Sequence, residues 1–281
     1  MFMKTWPIGL STGCFYQRPI LEVLEQVRDS GFRVIEICSF PKHLNYHRQE
    51  EVERAADRIR DLEMVPFSFH APFADHIDIT SFDAGVREAA VQELLTACRA
   101  AAVLGVRHVV LHPGPERSGR PPSHEFLEHM KHAAVSLDRV ARVCCELGIE
   151  LLLENMLPHL LFGHISDMMY LLGEIRECNV GACLDTGHAN LAGELGTTIH
   201  SLSGHLKMLH VNDNRRDTDA HLPPGDGVID WPWLVGELER YHFAGSLILE
   251  LSGRADEPPA VVLERAVRAR RYLEGLALNL T

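Results

Sequence analysis

Six short apolar runs in this 281-residue chain each end in a residue type that ligates metal ions or moves protons. Val65-Pro-Phe-Ser-Phe ends at His70, His108-Val-Val-Leu at His112, and Glu150-Leu-Leu-Leu at Glu154. Val180-Gly-Ala-Cys-Leu ends at Asp185, Lys207-Met-Leu at His210, and Leu247-Ile-Leu at Glu250. One such residue after an apolar strand is usually a cap or a solvated loop residue. Six in succession follow a different logic, because carboxylates and imidazoles gathered in one place stand unpaired or repel unless a cation joins them. Carboxylate-rich ligation suits Mn²⁺ or Mg²⁺, whereas many imidazoles tilt the choice toward Zn²⁺, Fe²⁺ or Co²⁺.

Two local motifs extend the set. Asp185-Thr-Gly-His188 places an imidazole about one turn beyond a carboxylate. In Asp219-Ala-His221, alternate residues of an extended segment face the same way, so both turn inward or both belong to a solvated loop.

Residues this far apart in sequence need a scaffold that gathers strand ends. Eight β-like runs, over residues 7–11, 33–38, 65–70, 107–112, 149–154, 179–185, 206–211 and 246–251, alternate with longer stretches. Helices are expected over 20–30, 50–62, 84–104, 166–177 and 259–276, with another ending near Leu147. Runs such as Val109-Val-Leu111, Leu151-Leu-Leu153 and Leu247-Ile-Leu249 are continuously apolar, as strands of a parallel sheet covered on both faces should be. No linker or low-complexity segment divides the chain. The expectation is an α/β fold, a (β/α)8 TIM barrel forming a single domain over residues 1–281. Its strands point one way, so their last side chains meet on one rim.

With 39 acidic and 27 basic residues the net charge is −12, which gives no general attraction to nucleic acid or anionic lipid. No apolar run is long enough for a membrane span, and residues 1–10 lack a signal-like stretch. Seven cysteines without CxxC spacing read as reduced packing residues of a cytoplasmic protein. A homo-oligomer is left open.

The signatures Phe69-His70-Ala-Pro-Phe73, His112-Pro-Gly114, Leu153-Glu-Asn-Met156, Cys183-Leu-Asp-Thr-Gly-His188, His210-Val-Asn-Asp213 and Asp219-Ala-His-Leu-Pro-Pro-Gly-Asp-Gly-Val-Ile-Asp-Trp231 span nearly the whole chain. Together they resemble the xylose isomerase-like barrel superfamily, which includes sugar-phosphate isomerases/epimerases and endonuclease IV. The epimerase-like branch implies one divalent ion on Glu154, Asp185, His210 and Glu250. There the two glutamates exchange a substrate proton through a metal-stabilised enediolate. His188 and one of Arg215 or Arg216 would then hydrogen-bond substrate oxygens. The endonuclease IV branch implies three zinc ions on nine ligands, matched here by His70, His112, Glu154, Asp185, His188, His210, Asp219, His221 and Glu250. One ion would leave such a carboxylate set negative, and three would make it positive and receptive to phosphate.

Other features favour the first branch. The segment from His210 to Asp219 carries Asn214-Arg215 where the nuclease has a Ser-Lys pair, and residues 71–80 depart from its pattern. The basic candidates for phosphate contact, Arg117, Arg120, Arg215 and Arg216, are scattered, and Arg268, Arg270 and Arg271 read as a solvated helix face. Phe15 and Phe73 are candidates for a pocket lining or for packing, and Trp231 and Trp233 for shaping the rim or, in preference, for helix-start packing. The expected activity is therefore a metal-dependent isomerase or epimerase acting on a small carbohydrate-like carbonyl compound with one to three ions. An endonuclease IV-like phosphodiesterase is the alternative.

Overall fold

The computed structural model describes residues 6–116 and 119–278. Among these, the strands β1 (Ile8–Ser11), β2 (Val34–Cys38), β3 (Val65–His70), β4 (His108–Leu111), β5 (Glu150–Glu154), β6 (Val180–Asp185), β7 (Leu206–Val211) and β8 (Ser246–Leu249) close into a barrel in chain order. Every neighbouring pair is parallel, including β1 with β8. The helices between them are α1 (Ile20–Asp29), α2 (Gln49–Asp61), α3 (Ala84–Leu104), α4 (Ser123–Glu146), α5 (Ile165–Glu174), α6 (Thr186–Leu191), α7 (Leu195–Leu202), α8 (Trp231–Arg240) and α9 (Pro259–Leu278). This is the (β/α)8 barrel that the apolar runs predict.

Local chemistry sets the element ends. Helix α2 buries Val52, Ala55 and Ile59, one stripe at helical spacing, against an otherwise charged surface. Helix α3 starts where the Asp83 carboxylate accepts the Gly85 and Val86 N–H groups, and stops at Gly105 with φ of 76°. Inside the barrel, Val110, Leu152, Cys183, Met208 and Ile248 form a fully buried floor. Register then levels the strand ends above it: Cys38 pairs with His70 and Asp185 with His210.

Some elements differ from expectation. The segment 186–202 folds into α6 and α7, which are too short to show an amphipathic period, and residues 12–15 form a 3₁₀ turn. His112 and Glu250 stand one residue beyond β4 and β8. All seven cysteines are free; Cys145 and Cys178 are exposed, so those two do no packing. Among the described residues no helix is long and apolar enough to cross a membrane.

The turn after β2 holds a titratable group. Buried His43 donates from Nδ1 to the Arg18 carbonyl at 2.7 Å, and the Thr12 hydroxyl donates to its Nε2 at 2.9 Å. A neutral ring fills both partners, and burial pushes its pKa down to about 4. The folded value lies below the unfolded one, near 6.5, so the stabilisation is complete above about pH 6.5 and is lost as pH falls toward 4. The full effect is on the order of 3 kcal/mol. In urea titrations, the stability advantage of the parent over His43→Gln is expected to narrow between pH 7 and pH 4. A gap independent of pH would contradict this account.

Candidate metal centre

All nine sequence-predicted donors meet at the C-terminal mouth of the barrel. The Glu154 carboxylate, at the end of β5, lies at the centre. Its Oε1 is 3.1 Å from His210 Nδ1, and its Oε2 is 3.2 Å from His70 Nε2 and 3.3 Å from His112 Nε2. Glu250 Oε2 approaches the same His210 Nδ1 from β8, at 3.4 Å. Asp219 Oδ2 lies between His221 Nε2 at 3.1 Å and His188 Nε2 at 3.4 Å. Donor atoms within 4.8 Å of one another form groups of Glu154, Asp185, His210 and Glu250; of His70, His112 and Glu154; of His70, His210 and Glu250; and of His188, Asp219 and His221.

Each imidazole is oriented from its far nitrogen. His70 Nδ1 donates to the Ala71 carbonyl at 3.0 Å, His188 Nδ1 to the Asn155 carbonyl at 2.8 Å, and His221 Nδ1 to the Glu250 carbonyl at 2.9 Å. His112 Nδ1 donates to Glu116 at 2.5 Å, and His210 Nε2 to Glu36 at 3.0 Å. Acceptors at the far nitrogens leave lone pairs on the near ones, and those lone pairs face carboxylate oxygens. Buried Glu154 Oε2, Glu250 Oε2 and His210 Nδ1 have no hydrogen-bond partner among the described residues. Lone pairs aimed at lone pairs are what a divalent cation reconciles, so the donor set fits one.

Protons compete for these lone pairs. Burial lowers the basicity of His112, His188 and His221, but the carboxylates outweigh it: Glu154 and Glu116 for the first, Asp185 and Asp219 for the second, Asp219 and Glu250 for the third. Each is raised to about 10. Against the effect of burial, His210 and His112 hold the Glu154 carboxyl well below the usual range. Burial pushes Glu250 the other way, up.

Asp185 and the loop after β7 are set by neighbours that are not donors. Asp185 Oδ1 caps α6 through the His188 N–H at 2.6 Å, and its Oδ2 accepts from Asn212 Nδ2 at 2.6 Å. Buried Asp213 accepts four hydrogen bonds, from the N–H groups of Asn214, Gly225 and Ile229 and from Trp231 Nε1. That hub folds the loop so that Asp219 and His221 turn inward. Gly227 passes so close to it that a Cβ would lie 2.1 Å from Asp213 Oδ1.

The donors converge in a barrel of closed parallel topology, and residues 24–273 match the sequence profile described as xylose isomerase-like TIM barrel. The chain belongs to the xylose isomerase-like TIM barrel family. An uncharacterized protein of Methanocaldococcus jannaschii is 26% identical over 281 residues, covering 96% of this chain and 98% of that protein. A probable endonuclease 4 of Mycobacterium tuberculosis is 29% identical over 185 residues, 62% of this chain and 69% of that one. Among solved structures, a D-tagatose 3-epimerase-like protein superposes with a TM-score of 0.83 at 23% identity, covering 98% of this chain and 100% of the other. A Thermus thermophilus protein soaked with zinc chloride superposes with a TM-score of 0.73 at 25% identity, over 97% and 98% of the two chains.

Within this xylose isomerase-like barrel, two expected substrate contacts are bonded elsewhere. Arg215 and Arg216 are exposed on the loop; Arg216 donates to Asn190 Oδ1 and Arg215 to the Asp226 carbonyl, and neither lines the cavity. Asn214 and Arg216 tie this part of the loop to α6, at the Gly187 carbonyl and Asn190 Oδ1. Phe73 lines the cavity with Met156, Leu157 and Leu160, whereas Phe15 packs in the core. Trp231 packs at the start of α8. Arg117 lies outside the described residues. Sequence reasoning missed Glu36, Glu116, Asn155 and Asn212. Asn155 and Asn212 stood within the family signatures without an assigned role, and Glu36 showed only as an acid set between Ile35 and Ile37.

Proposed function

We propose that this barrel is a divalent-metal-dependent isomerase or epimerase of a small polyhydroxy carbonyl compound. The observation that supports this reading is the pair of carboxylates, buried Glu154 at the end of β5 and partly buried Glu250 just beyond β8, which flank one imidazole nitrogen at 3.1 and 3.4 Å. Glu154, Asp185, His210 and Glu250 would hold the ion, which supplies polarisation of a substrate carbonyl and so acidifies the adjacent C–H. One glutamate removes that proton and the other returns one, from the two sides of the mouth. His188, with its Nδ1 proton held on the Asn155 carbonyl, presents Nε2 for a hydrogen bond to a substrate oxygen. Phe73, Met156, Leu157 and Leu160 form an apolar wall that limits water around the transferring proton.

A second reading, a phosphodiesterase with up to three ions, is favoured by one specific observation. Asp219 and His221 face inward and form a donor group with His188, beside the His70–His112–Glu154 group and the Glu154–Asp185–His210–Glu250 group. Weighing against it, the described arginines near the mouth are already engaged, Arg120 with Asp167 and Phe126, and Arg216 with Asn190. A nucleic-acid backbone needs several free cations. Elemental analysis of the purified protein separates the two readings. About one ion per chain supports the first. About three ions per chain, with nicking of abasic DNA that a chelator blocks, would overturn it in favour of the second.

A further inference from the structure

We propose that Glu36, in the middle of β2, is a positioning residue for the metal centre. It holds His210 in the tautomer whose Nδ1 lone pair faces Glu154 and Glu250. This inference rests on the metal reading of the site. Glu36 and His210 are separated by 174 residues, and both are fully buried. Glu36 Oε2 accepts the His210 Nε2–H at 3.0 Å and the Ser68 hydroxyl at 2.8 Å, and the β2–β3 register places Ser68 directly beside it.

A neutral imidazole has one N–H, and two acidic residues compete for it. Glu154 Oε1 is only 3.1 Å from His210 Nδ1, so a proton on Nδ1 would be drawn toward Glu154 and the donor lone pair would be lost. Glu36 offers a properly aligned hydrogen bond at Nε2, whereas the approach at Nδ1 is not one. The proton therefore stays on the face away from the mouth. A carboxylate behind an imidazole also makes its opposite nitrogen a stronger donor, and loss of such a partner commonly costs 10–100-fold in metal affinity. A buried carboxylate is an expensive way to fill space that an apolar side chain could fill. Its partners show the use: both hydrogen bonds serve to aim a single ring.

The test is a competition titration of the full chain with zinc and with cobalt(II), comparing the parent with Glu36→Gln, which keeps size and an acceptor oxygen but loses the charge. About 10- to 100-fold weaker binding with the same number of ions is expected. Affinity within about twofold of the parent, even with a lowered melting temperature, would show a merely structural role and overturn the assignment. Should the variant fail to fold, ¹⁵N-histidine spectra of the zinc-loaded parent decide. The proton of His210 must be on Nε2 with zinc on Nδ1, and the reverse arrangement overturns the proposal. A parent that binds neither zinc nor cobalt overturns the metal reading and this assignment together, whereas parent-like affinity in the variant overturns only the assignment.

Discussion

Replacing Glu250 by Gln is expected to lower solvent-deuterium incorporation into a bound ketose by at least about 100-fold, the lower end of what a positioned acid–base group contributes. The amide matches the carboxylate in shape and keeps an oxygen toward the mouth, so the wall formed by Glu154, Asp185 and His210 should persist. What it cannot do is take up or release a proton at neutral pH. Glu250 is the more informative of the two glutamates. Glu154 faces His70, His112 and His210 at once, so changing it disturbs several donors together. Glu250 stands one residue beyond β8, largely desolvated, and that desolvation pushes its carboxyl up from the usual range. NMR or mass spectrometry of recovered ketose reads the result. Undiminished exchange in the variant would rule out proton transfer between two glutamates.

The second large effect concerns stability with and without metal. In chelated protein, His112, His188 and His221 have folded pKa values near 10, above the unfolded value of about 6.5. Their contribution is therefore complete below about pH 6.5 and is lost as pH rises toward 10. An ion held by any of these imidazoles must expel its proton, so affinity moves the opposite way and strengthens as pH rises. An ion present at about 100 times its dissociation constant adds about 2.7 kcal/mol, on the order of 5–10 °C in melting temperature for a chain of this size. The difference in melting temperature between metal-loaded and chelated protein should thus widen from pH 6 to pH 9. A difference that stayed constant or shrank would mean that these imidazoles do not exchange protons for metal.

The barrel was readable because its strands are buried on both faces and so appear as unbroken apolar runs. A parallel barrel also puts whatever follows each run on one rim, which made His70, Glu154, Asp185 and His210 recognisable without coordinates. What stayed hidden belongs to side chains whose direction depends on closure. Glu36 occupies an interior strand position, and only the closed sheet shows that it points inward at His210. Asp213 looked like part of a motif, but its four hydrogen bonds depend on how residues 214–231 fold back, a matter of loop geometry rather than periodicity. Arg215 and Arg216 were assigned to substrate by the family resemblance alone, and their present partners, the Asp226 carbonyl and Asn190, are likewise set by how this loop folds. Helices α6 and α7 went unseen because six and eight residues carry too little period to register.

Donors contributed strand by strand have a consequence for how the molecule is born. Only Asp185 with His188 and Asp219 with His221 are near neighbours along the chain, so a nascent polypeptide offers an ion little to grip until its final strand arrives. Glu250 follows β8, which pairs with both β7 and β1. Uptake of a cation by these donors would therefore keep time with ring completion, and a metal-sensitive optical signal recorded during refolding would mark the moment when the two ends of the sheet join.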